Sequence, residues 1–231
     1  MTNSIAVRDM ESIRSGLPGE LAGMLDEFAA STVYEAAGQR GSMDPAIRSV
    51  ASGMRIAGPA LTVRCQPADN LTLHAAVASA RPGDVIVADV GDFVGAGHWG
   101  EILTVAAQAR QISGIVINGG VRDVEAAQRR AFPIFARGIC MRATVKEVLG
   151  SINQPIICGG VAVHPGDLII ADDDGIVVIP AERIDATLEA AIARETAEAN
   201  IMDRLQGGEL TLDVLGFRRA LDRQSLDAET R

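Results

Sequence analysis

The sequence predicts an α/β chain built around a partly parallel sheet, and three observations carry that expectation. Two apolar runs without alternation, Val85 to Val90 and Gly114 to Asn118, have the pattern of strands buried on both faces. Each is followed by a helical stretch, Ile102 to Ile112 and Asp123 to Arg130, and such alternation joins parallel strands through right-handed crossovers. Beyond Pro133 the pattern changes to short apolar strands separated by turns.

Taken in order, residues 9 to 50 read as short helices. One is opened by Pro18 and ends near Ala29; another is capped by Ser31 and runs through Gly38. Ala60 to Cys65 is a strand, and Asn70 starts an alanine-rich helix that reaches Ala80. Pro82-Gly83-Asp84 turns the chain into the Val85 strand. Later strands are expected at Pro155 to Val163, Asp167 to Ala171 and Ile176 to Ile179. Pro-Gly-Asp, an apolar run and Ala-Asp recur at 82–89 and 165–172, which suggests one turn device used twice. Asp172-Asp173-Asp174-Gly175 lacks the remaining ligand positions of a calcium loop and reads as a turn. Glu182 to Leu205 is a long amphipathic helix, followed by Gly207-Gly208 and a second helix over Leu212 to Leu221. The expected organisation is one α/β domain over 1–181 and a helical tail over 182–231.

A length of 231 residues is enough to bury a sizeable core. With 30 acidic against 21 basic residues the net charge is −9, which argues against nucleic acid as a partner because phosphate binding needs a basic field. Met1 to Asp9 has no basic region followed by an apolar core, and no apolar run approaches the ~18 residues of a membrane span, so a cytoplasmic location without a membrane partner is expected. Cys65, Cys140 and Cys158 are odd in number and lack metal-ligand spacing, as expected of reduced thiols. His74 sits in an apolar helical stretch and reads as structural, whereas His98, among glycines, is placed to touch a ligand.

The stretch Gly91-Asp92-Phe93-Val94-Gly95-Ala96-Gly97-His98-Trp99-Gly100-Glu101-Ile102-Leu103 joins a strand to a helix start. Glycines there permit close backbone approach to a ligand, and the free amides of Glu101, Ile102 and Leu103 favour an anion. The Gly114 strand then delivers Arg122 and Asp123 beyond its carboxyl end, where open α/β sheets bind ligands. An Arg-Asp dipeptide alone is an ordinary turn; the functional reading comes from two strand ends, a helix N-terminus, and Glu101 separated by twenty residues from Arg122-Asp123.

Glu101-(20 residues)-Arg122-Asp123, preceded by Gly100, resembles the D/E-x20-R-D signature of the 4-hydroxy-4-methyl-2-oxoglutarate/4-carboxy-4-hydroxy-2-oxoadipate aldolases. That superfamily also holds the regulator of ribonuclease E activity A and proteins once labelled demethylmenaquinone methyltransferases. Ala57 to Val63, Asp69-Asn70, Pro82-Gly83-Asp84, Pro165-Gly166-Asp167 and Gly175 to Pro180 occur in the order the resemblance requires. It implies a three-layer β/β/α sandwich of the swivelling-domain type with a C-terminal helical tail, assembled as a homotrimer or homohexamer whose tail reaches the adjacent active site.

The resemblance further implies a metal-dependent lyase acting on a small 2-oxo acid, by retro-aldol cleavage or oxaloacetate decarboxylation, with release of pyruvate. Arg122 would hold the keto oxygen, Asp123 would anchor Mg2+ or Mn2+, and Glu101 would order metal-bound water. Gly100 and the amides of Glu101, Ile102 and Leu103 would bind the substrate carboxylate, and Glu198 would enter from a neighbouring subunit. Lys146 is the only lysine and is expected on a solvated helix, so a Schiff base is disfavoured and a metal is the better electron sink. Asn118 stands where the family commonly has an aspartate, which removes one outer carboxylate. A non-catalytic protein-binding module is the alternative; Glu101 and the long tail favour the enzyme. A methyltransferase is disfavoured because its nucleotide cofactor would want a glycine-rich turn after an early strand and an acidic ribose partner.

Overall fold

A computed structural model describes residues 9–16, 25, 27–221 and 223. The helix expected from Pro18 lies largely outside the described residues. Ten strands are described among them: β1 (Arg48–Ser49), β2 (Ile56–Arg64), β3 (Val85–Asp89), β4 (Gly114–Val121), β5 (Ile134–Ile139), β6 (Ser151–Ile152), β7 (Ile156–Cys158), β8 (Val161–Val163), β9 (Leu168–Asp172) and β10 (Gly175–Ile179). The helices are α1 (Met10–Gly16), α2 (Ala30–Ala36), α3 (Leu71–Ser79), α4 (Glu101–Ala109), α5 (Val124–Arg129), α6 (Ile184–Gln206) and α7 (Thr211–Val214).

The main sheet runs β1-β5-β4-β3-β2-β9-β10, with β6 also on β2. Strands β2 to β5 run parallel to one another, whereas β1, β6, β9 and β10 pair antiparallel. Strand β2 joins the two parts. Its residues 60–64 pair with β3 and its residues 56–59 pair with β9, so the expected strand from Ala60 begins four residues earlier.

Alternation on these strands separates three apolar layers. Ile86, Ala88, Ile115 and Ile117 face α3, α4 and α5 through Leu73, Leu103 and Ala127. Val85, Val87 and Val116 point the other way, meeting Ile169 and Val178 of the antiparallel arm and Ile156 and Val163 of the β7-β8 hairpin. Leu168, Ile170, Val177 and Ile179 pack on Ile13, Val33 and Leu188 of α1, α2 and α6. The β/β/α sandwich is therefore present, with further helices covering its outer β layer.

Several expectations are revised by tertiary contacts. The strand expected over Pro155 to Val163 is a hairpin, because Gly159 and Gly160 take φ of 54° and 77°. Lys146 is not on a helix. Its segment is extended, since Asp69, 2% exposed, accepts the N–H groups of Glu147 and Val148, each at 2.8 Å. Helix α2 has no side-chain cap from its own segment; Ala30 N–H donates to Asp172 Oδ2 at 2.9 Å. The second tail helix breaks at Gly216, which takes φ of 70°. The repeated Pro-Gly-Asp device is real: Arg81 N–H donates to Asp84 and His164 N–H to Asp167, both at 2.8 Å. No described helix is long and apolar enough to cross a membrane.

Candidate functional site

Strand β4 delivers the site, and the loop 90–100 wraps its end. Gly120 N–H donates to Phe93 C=O at 3.1 Å, His98 N–H to Gly120 C=O at 2.8 Å, and Arg122 N–H to Trp99 C=O at 2.8 Å. Trp99 is fully buried, stacks on Phe132, and donates its indole N–H to Thr104 Oγ1 at 2.9 Å. That contact fixes the first turn of α4, whose N-cap is Gly100.

The loop glycines serve the Arg-Asp turn. A Cβ on residue 97 would lie 2.8 Å from Arg122 Cβ, and one on residue 100 would lie 2.5 Å from Asp123 Oδ2. Their required role is thus the close approach of the two segments, where the sequence suggested approach to a ligand.

Asp123 adopts the left-handed region, with φ 57° and ψ 36°, which is costly for a residue with a Cβ and recurs at functional sites. Although it is the N-cap of α5, its Oδ2 accepts Glu101 N–H at 2.9 Å and so caps α4 instead. Of the three free amides expected to bind an anion, one is therefore spent. Those of Ile102 and Leu103 still precede the first intrahelical bond, Thr104 N–H to Gly100 C=O at 3.0 Å. Leu103 is 4% exposed and Ile102 76% exposed, so Leu103 offers its backbone only.

Arg122 Nε is buried and donates to no acceptor among the described residues. Asp123 Oδ2, at 3.7 Å, is within ion-pair range and too far for a hydrogen bond. A guanidinium held with an unspent donor beside a carboxylate and two free amides is set to receive an oxyanion.

Glu101 is oriented within the chain, since its Oε1 is held by Arg130 Nε and Nη2, both at 2.9 Å. Arg130 was not legible as a site residue, since no sequence rule ties the end of α5 to the start of α4. Its only local sign is its place at the C-cap of α5. Asn118 is likewise committed: its Oδ1 accepts from Arg137 Nε at 2.6 Å, its Nδ2 donates to Asp92, and Arg137 Nη2 reaches Asp44 at 2.7 Å.

His98 is corrected outright. It is fully buried, its Nε2 accepts Ala68 N–H at 3.0 Å, and its Nδ1 lies 3.1 Å from Gly120 C=O. Burial lowers its pKa despite the Gly120 contact, so it is a neutral staple between loops and no ligand contact. Burial also pushes the Cys65 and Cys158 thiols up to about 12, which keeps both protonated. Glu198 is on α6, paired at 2.9 Å with Arg194, which also binds Glu35. No described contact brings it to Arg122 or Asp123 within the chain.

No group of three or more His, Cys, Asp or Glu gathers as a metal cage among the described residues. The donor chemistry nevertheless fits a hard divalent ion that keeps most of its waters. Asp123 is 43% exposed and only its Oδ2 is engaged, which leaves Oδ1 for a cation.

A protein of Halalkalibacterium halodurans named, as a proposal, 4-hydroxy-4-methyl-2-oxoglutarate aldolase is 41% identical over 137 residues, covering 59% of this chain and 65% of that one. Protein DlpA of Legionella pneumophila is 33% identical over 184 residues, covering 77% of this chain and 30% of its own length. The chain thus spans less than two thirds of both relatives. The crystal structure of Streptomyces coelicolor RraAS2, described as an unusual member of the RNase ES inhibitor RraA protein family, superposes with a TM-score of 0.73 at 27% identity, covering 81% of this chain and 99% of that one. The model of one family, RraA-like (Aldolase/RraA), matches residues 24–178 and so takes in both strand ends, the α4 N-terminus and the Arg122-Asp123 turn. On that match the chain belongs to the RraA-like Aldolase/RraA family.

Proposed function

We propose that this protein is a divalent-metal-dependent lyase that cleaves a 2-oxo acid with release of pyruvate, acting in the cytoplasm. The observation that carries the reading is the buried, unspent Nε donor of Arg122 beside Asp123 and the free α4 amides. The Ile102 and Leu103 amides bind the substrate carboxylate at the positive end of the helix. Breaking the bond beyond the keto group leaves an electron pair that develops as an enolate, and Arg122 donates to the keto oxygen as that charge appears. Asp123 keeps Gly100 and Arg122 in register through its bond to Glu101 N–H, and Arg130 orients the Glu101 carboxylate. Mg2+ or Mn2+, held through Asp123 with Glu101 acting through water, would supply Lewis-acid polarisation of the keto oxygen.

The tail is proposed to belong to the assembly. The first turns of α6 are buried in the chain's own core at Ile184, Leu188 and Ala191, whereas Met202, Leu210, Leu215 and Phe217 are exposed. A homotrimer or homohexamer would cover them and let Glu198 approach a neighbour's Asp123.

The test is pyruvate release from oxaloacetate and from 4-hydroxy-4-methyl-2-oxoglutarate. Activity should vanish with chelator and return with magnesium or manganese, and borohydride should trap no lysine adduct. Full activity in chelator would overturn the metal. The likeness to RraAS2 supports a second reading, a non-catalytic protein-binding module; no pyruvate from either substrate with either metal would favour it.

A further inference from the structure

A pocket of about 310 Å³ lies between the end of α2, β8, the end of β10 and the start of α6, and it shares no residue with the Arg122-Asp123 site. Val161, Val178 and Pro180 give it an apolar wall, Arg40 and Arg183 give it charge, and no carboxylate is among its described lining residues.

Both arginines hang from fixed backbone. Arg40 lies between Gln39, with φ 58°, and Gly41, with φ 85°. Gln39 N–H donates to Tyr34 C=O and Val178 N–H to Gly41 C=O, each at 2.9 Å. A Cβ on residue 41 would stand 2.2 Å from the Val178 carbonyl oxygen, so this turn is pressed on β10 and accepts only glycine. Arg183 closes the short 3-10 turn before α6, its N–H donating to Pro180 C=O at 2.8 Å.

Arg64, Arg129, Arg130, Arg137, Arg194 and Arg204 each hold a carboxylate. Neither Arg40 nor Arg183 does so among the described residues, in a chain with 30 acidic against 21 basic residues. Two like charges at the edge of one apolar hollow repel, and an anion between them would offset that repulsion. Guanidinium forks match carboxylate and phosphate oxygens in pairs.

We propose that this pocket is a second binding site, for a small organic anion whose oxyanion head is clamped by Arg40 and Arg183 and whose compact hydrocarbon body lies on the Val161, Val178 and Pro180 wall. Its volume is at the small end for ligand sites, which suits a ligand of the size of phenyl phosphate. Because Arg40 follows α2 and Arg183 precedes α6, the bound anion also ties those two helices together.

Calorimetric titration of the full chain at low ionic strength tests this with phenyl phosphate, benzoate and phenol. At least one anion should bind saturably, and phenol about tenfold or more weakly. A preference for phenyl phosphate or for benzoate identifies the head as phosphate or carboxylate, and either supports the site. Arg40→Ala with Arg183→Ala should weaken binding about tenfold or more, while Arg122→Lys leaves it unchanged. If the alanine pair does not fold, Arg40→Lys with Arg183→Lys, which keeps the charge and loses the fork, should still weaken it. Absence of saturable binding by both anions, binding unaltered in the paired variants, or binding lost in Arg122→Lys would overturn the proposal.

Discussion

Arg122 separates a catalytic site from a structural turn more sharply than any other side chain. Its Nε makes no hydrogen bond among the described residues, so little folding energy depends on it. Arg122→Lys keeps the charge and removes the planar fork. If the guanidinium stabilises charge that appears only in the enolate, turnover should fall by about 3 kcal/mol, roughly a hundredfold, with a small change in KM and an unchanged melting temperature. Steady-state kinetics beside a thermal melt checks this; unchanged turnover, or a collapse in stability, would make the turn structural. Asp69 is the converse case. It is 2% exposed and its carboxylate holds the N–H groups of Leu71, Glu147 and Val148, each at 2.8 Å. Asp69→Ala would leave these donors without their acceptor, and urea unfolding should register a loss of about 3 kcal/mol.

The elements around the site are joined by His98, which bonds the approach to α3 on one side and β4 on the other. Burial holds its pKa below the usual imidazole range. The folded chain therefore resists a proton that the unfolded chain accepts below about pH 6.5. Stability is full above that value and falls as pH drops through it, until the lowered folded pKa is reached. His98→Gln keeps an acceptor for Ala68 N–H but cannot titrate, so its melting temperature should vary less between about pH 7 and 5 than that of the parent chain. His74, also lowered mainly by burial, keeps part of the slope in both proteins. Identical pH profiles would remove His98 from this role.

For the whole molecule, the question is what covers the outer half of the tail. Helix α6 is anchored on the chain's own β9-β10 layer through Ile184, Leu188 and Ala191, yet Met202 is 54% exposed and Phe217 54% exposed. Ile139, Met141 and Leu149, 63%, 90% and 64% exposed, add an apolar edge along the extended segment beside the site. The proposed homo-oligomer would cover these side chains, as interfaces cover exposed apolar area. Light scattering should therefore give the mass of a trimer or hexamer, and Phe217→Glu with Met202→Glu should shift it toward the monomer with a loss of turnover. A fully active monomer would remove Glu198 from the site.

The sequence by itself determined the parallel strands, the helices between them and the Glu101 to Arg122-Asp123 constellation. Unbroken apolar runs, turn glycines and a fixed spacing are local signals, and local physics reads them. Tertiary structure alone decided what those residues hold. Asp123 caps the helix of Glu101, Arg130 takes the Glu101 carboxylate, and His98 is withdrawn from any ligand into a neutral contact with Ala68 and Gly120. Lys146 left its expected helix because Asp69, 77 positions earlier in the chain, captured the neighbouring amides. Each partner lies twenty or more residues from the group it controls, and periodicity and spacing carry no information about which distant acceptor will win a donor.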